Sequence, residues 1–138
     1  MAFNWEEYLI LAKELIGQTS RPTAEEARLR CAISRAYYAA FCETRDYLIA
    51  NERFAFVPRG RGGVHQQIRA HLEQLATVAS PKRQKVLKRM AARLQDLAQK
   101  RVIADYEEYQ TCTLPMAQYQ LLHADEVISL LKSLPTIP

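Results

Sequence analysis

Two stretches of the chain place polar and charged groups where a helix would otherwise bury apolar side chains. The first is SRAYYAAFC, residues 34–42. At about 100° per residue, Leu29, Ile33, Ala36, Tyr37, Ala40, Phe41, Thr44, Tyr47 and Leu48 fall in one broad arc, the core face. Cys31, Ser34, Arg35, Tyr38, Cys42 and Arg45 form a narrower stripe on the other side. Tyr37 is thereby read as a core residue and Tyr38 as one of a hydrogen-bonding set. The second stretch is KRVIADYEEY, residues 100–109. Continuing the line Leu87, Met90, Leu94, Leu97 by helical spacing reaches Arg101, then Ala104 and Asp105, then Glu108. Charged residues stand where the period asks for apolar ones. Arg101 and Asp105, four apart, can pair along the helix. A buried charge without a partner is strongly destabilising. Arg101, Asp105 and Tyr106 are therefore expected to meet Ser34, Arg35 and Tyr38 in a polar layer between two helices, with a pocket rather than dry packing. Ala36, Ala39 and Ala40 are small enough to let another helix approach closely.

The elements that must position these groups are all helical. Asn4 followed by Glu7 is a capping-box pattern and Gly17 suits a C-terminal cap, which brackets a first helix at about 4–16. Thr23 and Glu26 form a second box, opening a long helix to about Asn51. Val64, Ile68, Leu72, Leu75 and Ala79 give a third helix, closed by Ser80-Pro81. A fourth begins near Lys82 and carries the leucine line already described. Thr113 and Pro115 open a fifth, followed by Leu121, Leu122, Val127, Leu130 and Leu131. No alternating strand pattern competes. The fold class is an all-α, antiparallel up-and-down bundle of four to five helices, one domain over residues 1–138. Its unusual connection is FAFVPRGRGG, residues 54–63, in a mobile loop at about 52–63 that exposes Arg59 and Arg61. A C-terminal tail spans about 134–138.

Composition narrows the class further. At 138 residues the chain can bury a real core without metal or disulfide, and its mix of apolar and charged residues is that of a globular domain. Cys31, Cys42 and Cys112 have neither CxxC nor Cys/His ligand spacing. They read as reduced, mostly buried thiols, and no metal or cofactor is expected. No apolar run reaches membrane-spanning length, and the N-terminus is acidic where a secretory signal would be basic. A cytoplasmic protein is the expectation. Charge is unevenly spread: residues 53–101 hold twelve Lys/Arg against Glu73 and Asp96, and the remainder holds seven basic against thirteen acidic residues. Such a chain can steer toward a polyanion or pair with a copy of itself, or these are simply solvated helix faces. Lys82, Lys85, Arg89, Arg93 and Lys100 lie opposite the leucine line of the fourth helix.

SRAYYAAF on a long second helix, GGVHQQI after a glycine-rich loop, and R-x-x-A-D-Y late in the fourth helix together resemble the HEPN family (higher eukaryotes and prokaryotes nucleotide-binding), in its small stand-alone prokaryotic form. The resemblance covers roughly residues 4–132. It implies a helical bundle, often a homodimer, that binds nucleotide or RNA. It also implies a nucleotidyltransferase partner in a toxin–antitoxin type of pair. Some members are metal-independent ribonucleases that use an Arg-x(4–6)-His motif.

Such a ribonuclease needs a base for the RNA 2′-hydroxyl and a cation for the phosphorane charge, roles that histidine and arginine suit. Arg59 and His65 have the motif's spacing, but in the glycine-rich loop rather than in a helix. At the expected helical position Arg101 is followed by Asp105 and Tyr106, with no histidine. The first reading is thus a binding and assembly module whose site is carried or supported by Ser34, Arg35, Tyr38, Arg101, Asp105 and Tyr106, with His65, Arg59 and Arg61 at its rim. The alternative is a ribonuclease with His65 as base and Arg59 or Arg101 as phosphate clamp. A third reading makes the polar layer purely structural. His71 reads as a core or boundary residue, and His123 as a surface residue beside Asp125 and Glu126.

Overall fold

A computed structural model describes residues 3–17, 22–58 and 63–135, with only the backbone of 22–24. The side chain of Thr23, Arg59, Arg61 and the tail beyond Pro135 lie outside the described residues. Five helices are described: α1 (Glu6–Gly17), α2 (Pro22–Asn51), α3 (Val64–Val78), α4 (Pro81–Tyr106) and α5 (Leu114–Ser133). They form the expected all-α bundle, and no strand occurs among the described residues.

Local chemistry sets the helix ends. The Asn4 side chain accepts the Glu6 amide at 3.1 Å, and Ser80 and Thr113 cap α4 and α5 by accepting from the amides of Arg83 and Met116. Proline in the first turn of α4 and α5 removes a backbone donor that would otherwise lack a partner. α2 ends differently. Arg53 takes the left-handed conformation (φ 54°), and the Phe54 amide donates back to the Leu48 carbonyl at 3.2 Å. A left-handed residue just past a helix end is a position usually filled by glycine. Burial of Phe54 beside Leu48 in the core holds it in place.

The described residues that follow are held as well. The Gln67 side chain donates to the Val57 carbonyl at 3.0 Å and accepts the Val57 amide at 2.9 Å, so the segment entering the loop is tied to α3. His71 adds a contact of 3.1 Å to the Glu52 carbonyl, and its ring meets Phe54 edge-on. The expected start of the C-terminal tail is anchored as well: Leu134 is buried, and the Tyr47 hydroxyl donates to the Pro135 carbonyl at 2.5 Å.

α2 is the central element, packing on α1, α4 and α5, while α3 rests mainly on α4. Its apolar arc is the core face: Leu29, Ile33, Ala36, Tyr37, Ala40, Phe41, Thr44 and Leu48 are buried, as are Leu87, Met90, Leu94 and Leu97 of α4. Most of the thiols are buried, as expected. Cys31 is exposed, whereas Cys42 and Cys112 are buried, and burial pushes the Cys42 thiol up to about 11. One expectation, on α5, needs correction. The inner stripe there runs through Ala117, Gln120, Leu121, Ala124, Val127 and Ile128, so Leu122 faces outward at 64% exposure and His123 turns inward. No described helix is long and apolar enough to cross a membrane.

A connection not foreseen in the sequence fixes the far end of α4. Arg30 of α2 donates through Nη1 to the carbonyls of Ile103 and Ala104, each at 3.0 Å. Its Nη2 donates to the carbonyls of Glu107, at 3.1 Å, and Gln110. Glu26, one turn earlier, pairs with Arg30 and accepts the Cys112 amide at 2.9 Å. A cation thus sits at the C-terminus of α4, as a second donor to the carbonyls of Ile103 and Glu107, which also accept the backbone amides of Glu107 and Gln110, and as a donor to those of Ala104 and Gln110. Arg30→Met removes the side-chain donor from four carbonyls and the ion-pair partner of Glu26 at once. It should lower stability by about 2 kcal/mol, or melting temperature by roughly 6 °C, in a thermal unfolding comparison with wild type. An unchanged melting temperature would show that the clamp adds nothing.

Candidate functional site

The crossing of α2 and α4 holds the polar layer. Arg101 lies one turn beyond Leu97, at the position where the apolar line of α4 stops, and its side chain is only 13% exposed. The guanidinium carbon is 5.6 Å from the ring centres of both Tyr37 and Tyr38 and 5.7 Å from that of Tyr106. Nη1 donates to Asp105 Oδ2 at 3.4 Å, and the same oxygen accepts Ser34 Oγ from α2 at 3.2 Å. Ser34, itself buried, is thus a direct side-chain link between the two helices, beside the Arg30 contacts to the α4 carbonyls. Burial opposes the Arg101 charge, but Tyr38, the Asp105 carboxylate and Tyr106 outweigh it and hold its pKa above the ordinary value. The buried Nε–H has no hydrogen-bond partner among the described residues.

His65 enters from the first turn of α3. Its Nδ1 is hydrogen-bonded to the Tyr37 hydroxyl, and its ring lies 4.5 Å from Phe41 and 5.3 Å from Tyr37, centre to centre. Desolvation lowers the His65 pKa, and the positive charges of Arg101 and Arg69 lower it further. Burial conversely holds the Tyr37 phenol well above its usual range, so it stays protonated. A neutral imidazole, a phenol and a guanidinium therefore share one cluster.

Of the residues expected in this layer, Ser34, Tyr38, Arg101, Asp105, Tyr106 and His65 are brought together. Arg35 is not. It stands about 100° around α2 from Ser34, and its guanidinium lies over the Tyr8 ring of α1 at 5.1 Å. There it lines a groove of about 360 Å³ with Trp5, Tyr8, Tyr38, Phe41, Arg45 and His65. Tyr38 and His65 consequently border both the layer and the groove. Arg59 and Arg61 lie outside the described residues.

Two participants were not read from the sequence in these roles. Tyr37 belongs to the core, as its spacing implies, yet its hydroxyl reaches the site. Arg69 is one helical turn from His65, an i, i+4 relation that was available as a signal. His123 departs from its expected surface position: it is 7% exposed, with Nδ1 2.9 Å from Asp96 Oδ2 of α4. Comparison with protein-family models, with curated proteins and with solved structures finds no match. The functional reading therefore rests on the site itself.

The depressed His65 pKa carries a definite sign. The unfolded chain takes up a proton near pH 6.5 that the folded chain resists, so this group costs stability as pH falls through that range and nothing well above it. Between pH 7.5 and 5.5 the stability of wild type should fall more than that of His65→Asn, measured by urea unfolding at each pH. Parallel pH dependences would remove the claim that His65 is held neutral.

Proposed function

We propose that the chain is a HEPN-type binding module that takes a phosphate group of RNA or of a nucleotide at the Arg101 cluster. The observation that carries this reading is the state of Arg101. A guanidinium has five N–H donors in a planar fork suited to phosphate. Here it is nearly buried, covered by tyrosine rings, hydrogen-bonded to Asp105 at 3.4 Å and left without a partner at Nε. A charge so placed gains more from an anion than one already saturated in water. The neighbouring groove gives a base or ribose somewhere to lie: Tyr8, Trp5 and Tyr38 offer ring faces, and Arg35 and Arg45 add positive charge. The family resemblance of SRAYYAAF and R-x-x-A-D-Y supports the same reading, together with a homodimer and a nucleotidyltransferase partner.

A second reading, the metal-independent ribonuclease, is favoured by the nearness of His65 to Arg101. In it His65 abstracts the 2′-hydroxyl proton and Arg101 stabilises the charge developing on phosphorus. Base chemistry requires that Nδ1–H donate to the Tyr37 oxygen, which leaves the Nε2 lone pair free. In the opposite tautomer the Tyr37 hydroxyl donates to Nδ1, and Nε2 carries the proton. The imidazole is then a hydrogen-bond donor to phosphate, as the binding reading needs.

One set of assays separates them. Labelled single-stranded RNA and AMP are titrated in EDTA against wild type, Arg101→Met, Arg101→Lys and His65→Ala, and the RNA is then run on a gel. The binding module predicts intact RNA and a loss of affinity of about tenfold or more in Arg101→Met, with partial recovery in Arg101→Lys. Cleavage by wild type that disappears in His65→Ala establishes the ribonuclease instead. Neither binding nor cleavage by a folded wild-type protein overturns both.

A further inference from the structure

α4 presents a second polar stripe, Arg93, Asp96 and Lys100, not to α2 but to α5. Between this stripe and Pro115, Met116, Tyr119, Gln120 and His123 of α5 lies a pocket of about 570 Å³, the size of small-molecule sites. Its polar side joins the buried Gln120 and His123 to the partly exposed Asp96, Lys100 and Arg93. Asp96 Oδ2 accepts Gln120 Nε2 at 3.1 Å and faces His123 Nδ1 at 2.9 Å, while Oδ1 accepts Lys100 Nζ at 3.3 Å. Gln120 is 2% exposed and lies on the inner stripe of α5, where a bundle held by packing alone would carry an apolar residue. Its Nε2 is committed to Asp96, yet its buried Oε1 has no hydrogen-bond partner among the described residues. The side chain lines the pocket, so an acceptor lacking an N–H or O–H lies enclosed directly beside it.

We propose that this pocket binds a small planar aromatic carboxylate that also carries an N–H donor. The ring is matched by the Tyr119 and His123 rings, which meet edge-to-face at 4.9 Å and 80° and form a corner for a third ring, with Pro115 and Met116 beside it. The carboxylate is matched by Arg93 and Lys100. Each is about one-third exposed, and each retains N–H donors beyond its contacts to Glu126 and Asp96. Lys100, Gln120 and His123 surround the Asp96 carboxylate and offset part of its repulsion of the ligand's charge. Arg89, Arg93 and Lys100 together leave one positive charge in excess over Glu126 and Asp96. The N–H is matched by Gln120 Oε1. None of these residues belongs to the Arg101 cluster, so the proposal stands or falls independently of the phosphate reading.

The test is calorimetric titration with 2-aminobenzoate, benzoate and aniline against wild type and three variants. Tyr119→Ala and Lys100→Met alter the pocket at side chains that do not pack the core, and His65→Ala reports on the other site. Wild type should bind 2-aminobenzoate at one saturable site, more tightly than benzoate. Tyr119→Ala and Lys100→Met should each weaken that binding about tenfold, His65→Ala should leave it unchanged, and aniline should be insensitive to Lys100→Met. The proposal is overturned by any of four results: no saturable binding of 2-aminobenzoate up to about 10 mM; benzoate binding as tightly; wild-type affinity in either pocket variant; or loss of binding in His65→Ala.

Discussion

A nearly buried guanidinium at the crossing of α2 and α4 constrains much of what surrounds it. Arg101 follows directly on the leucine line of α4, and the alanines of α2 let the two helices come close, so its charge has little water to rely on. It must therefore be compensated from within. Asp105, four residues on, supplies the opposite charge, and Ser34 supplies the hydroxyl that ties that carboxylate to α2. Tyrosine rings from two helices supply the negative faces on which a guanidinium can lie. The same charge reaches His65 and helps keep it neutral. The serine, the paired tyrosines and the late aspartate are thus several consequences of one placement.

This explains which parts of the molecule could be read from the sequence. Helices with capping residues and a sustained apolar period declare themselves locally, and their bounds agree with expectation to within a residue or two. The pairing of Arg101 with Asp105 and the meeting with Ser34 followed from an interruption in that period. Periodicity gives the angle of a side chain around its helix but not the neighbour it meets. Arg35 shares a stripe with Ser34 in sequence, yet one step around α2 carries it to Tyr8 of α1. His123 was misplaced for a related reason. Leu122 looks like the core residue of the pair, but the phase set by Ala117, Ala124 and Val127 turns Leu122 outward and His123 inward. Arg30 left no periodic signal, because its partners are backbone carbonyls and any residue sequence would supply them.

The uneven charge of the chain has a partly internal explanation. Arg89 and Arg93 of the basic central segment both pair with Glu126 of α5, and Arg83 pairs with Glu52 at the end of α2. Lys100 turns back on Asp96 within α4. Most of these pairs are partly exposed, so each contributes little to stability. Their effect is on orientation, since a basic α4 and an α5 carrying Glu126 attract along this seam. The stripe read from the sequence as either a solvated face or a polyanion surface is therefore partly neutralised by the fold itself. Any long-range pull on a polyanion is correspondingly weaker than the formal balance of residues 53–101 implies. On the proposed function, recognition would depend more on the nearly buried cation at Arg101 than on the surface field.

Tyr37 is where the packing and the chemistry of this bundle become one question. Its ring fills the core, is stacked with Phe41 and forms part of the cover over Arg101, so its position is fixed by the same contacts that fold the protein. Its hydroxyl is consequently presented to His65 with little freedom to move. A phenol kept protonated by burial can donate to Nδ1 or accept from it, and that choice decides whether Nε2 offers a proton or a lone pair. The positive charges of Arg101 and Arg69 disfavour the imidazolium in either case, so the two neutral tautomers are the states that matter. An anion arriving at Arg101 accepts hydrogen bonds and favours Nε2–H, the tautomer in which His65 helps to bind. A substrate hydroxyl held at the same place favours the bare Nε2, the tautomer in which His65 can take a proton. On either proposed reading, the identity of the group delivered to this cluster, more than any rearrangement of the bundle, would decide which tautomer it uses.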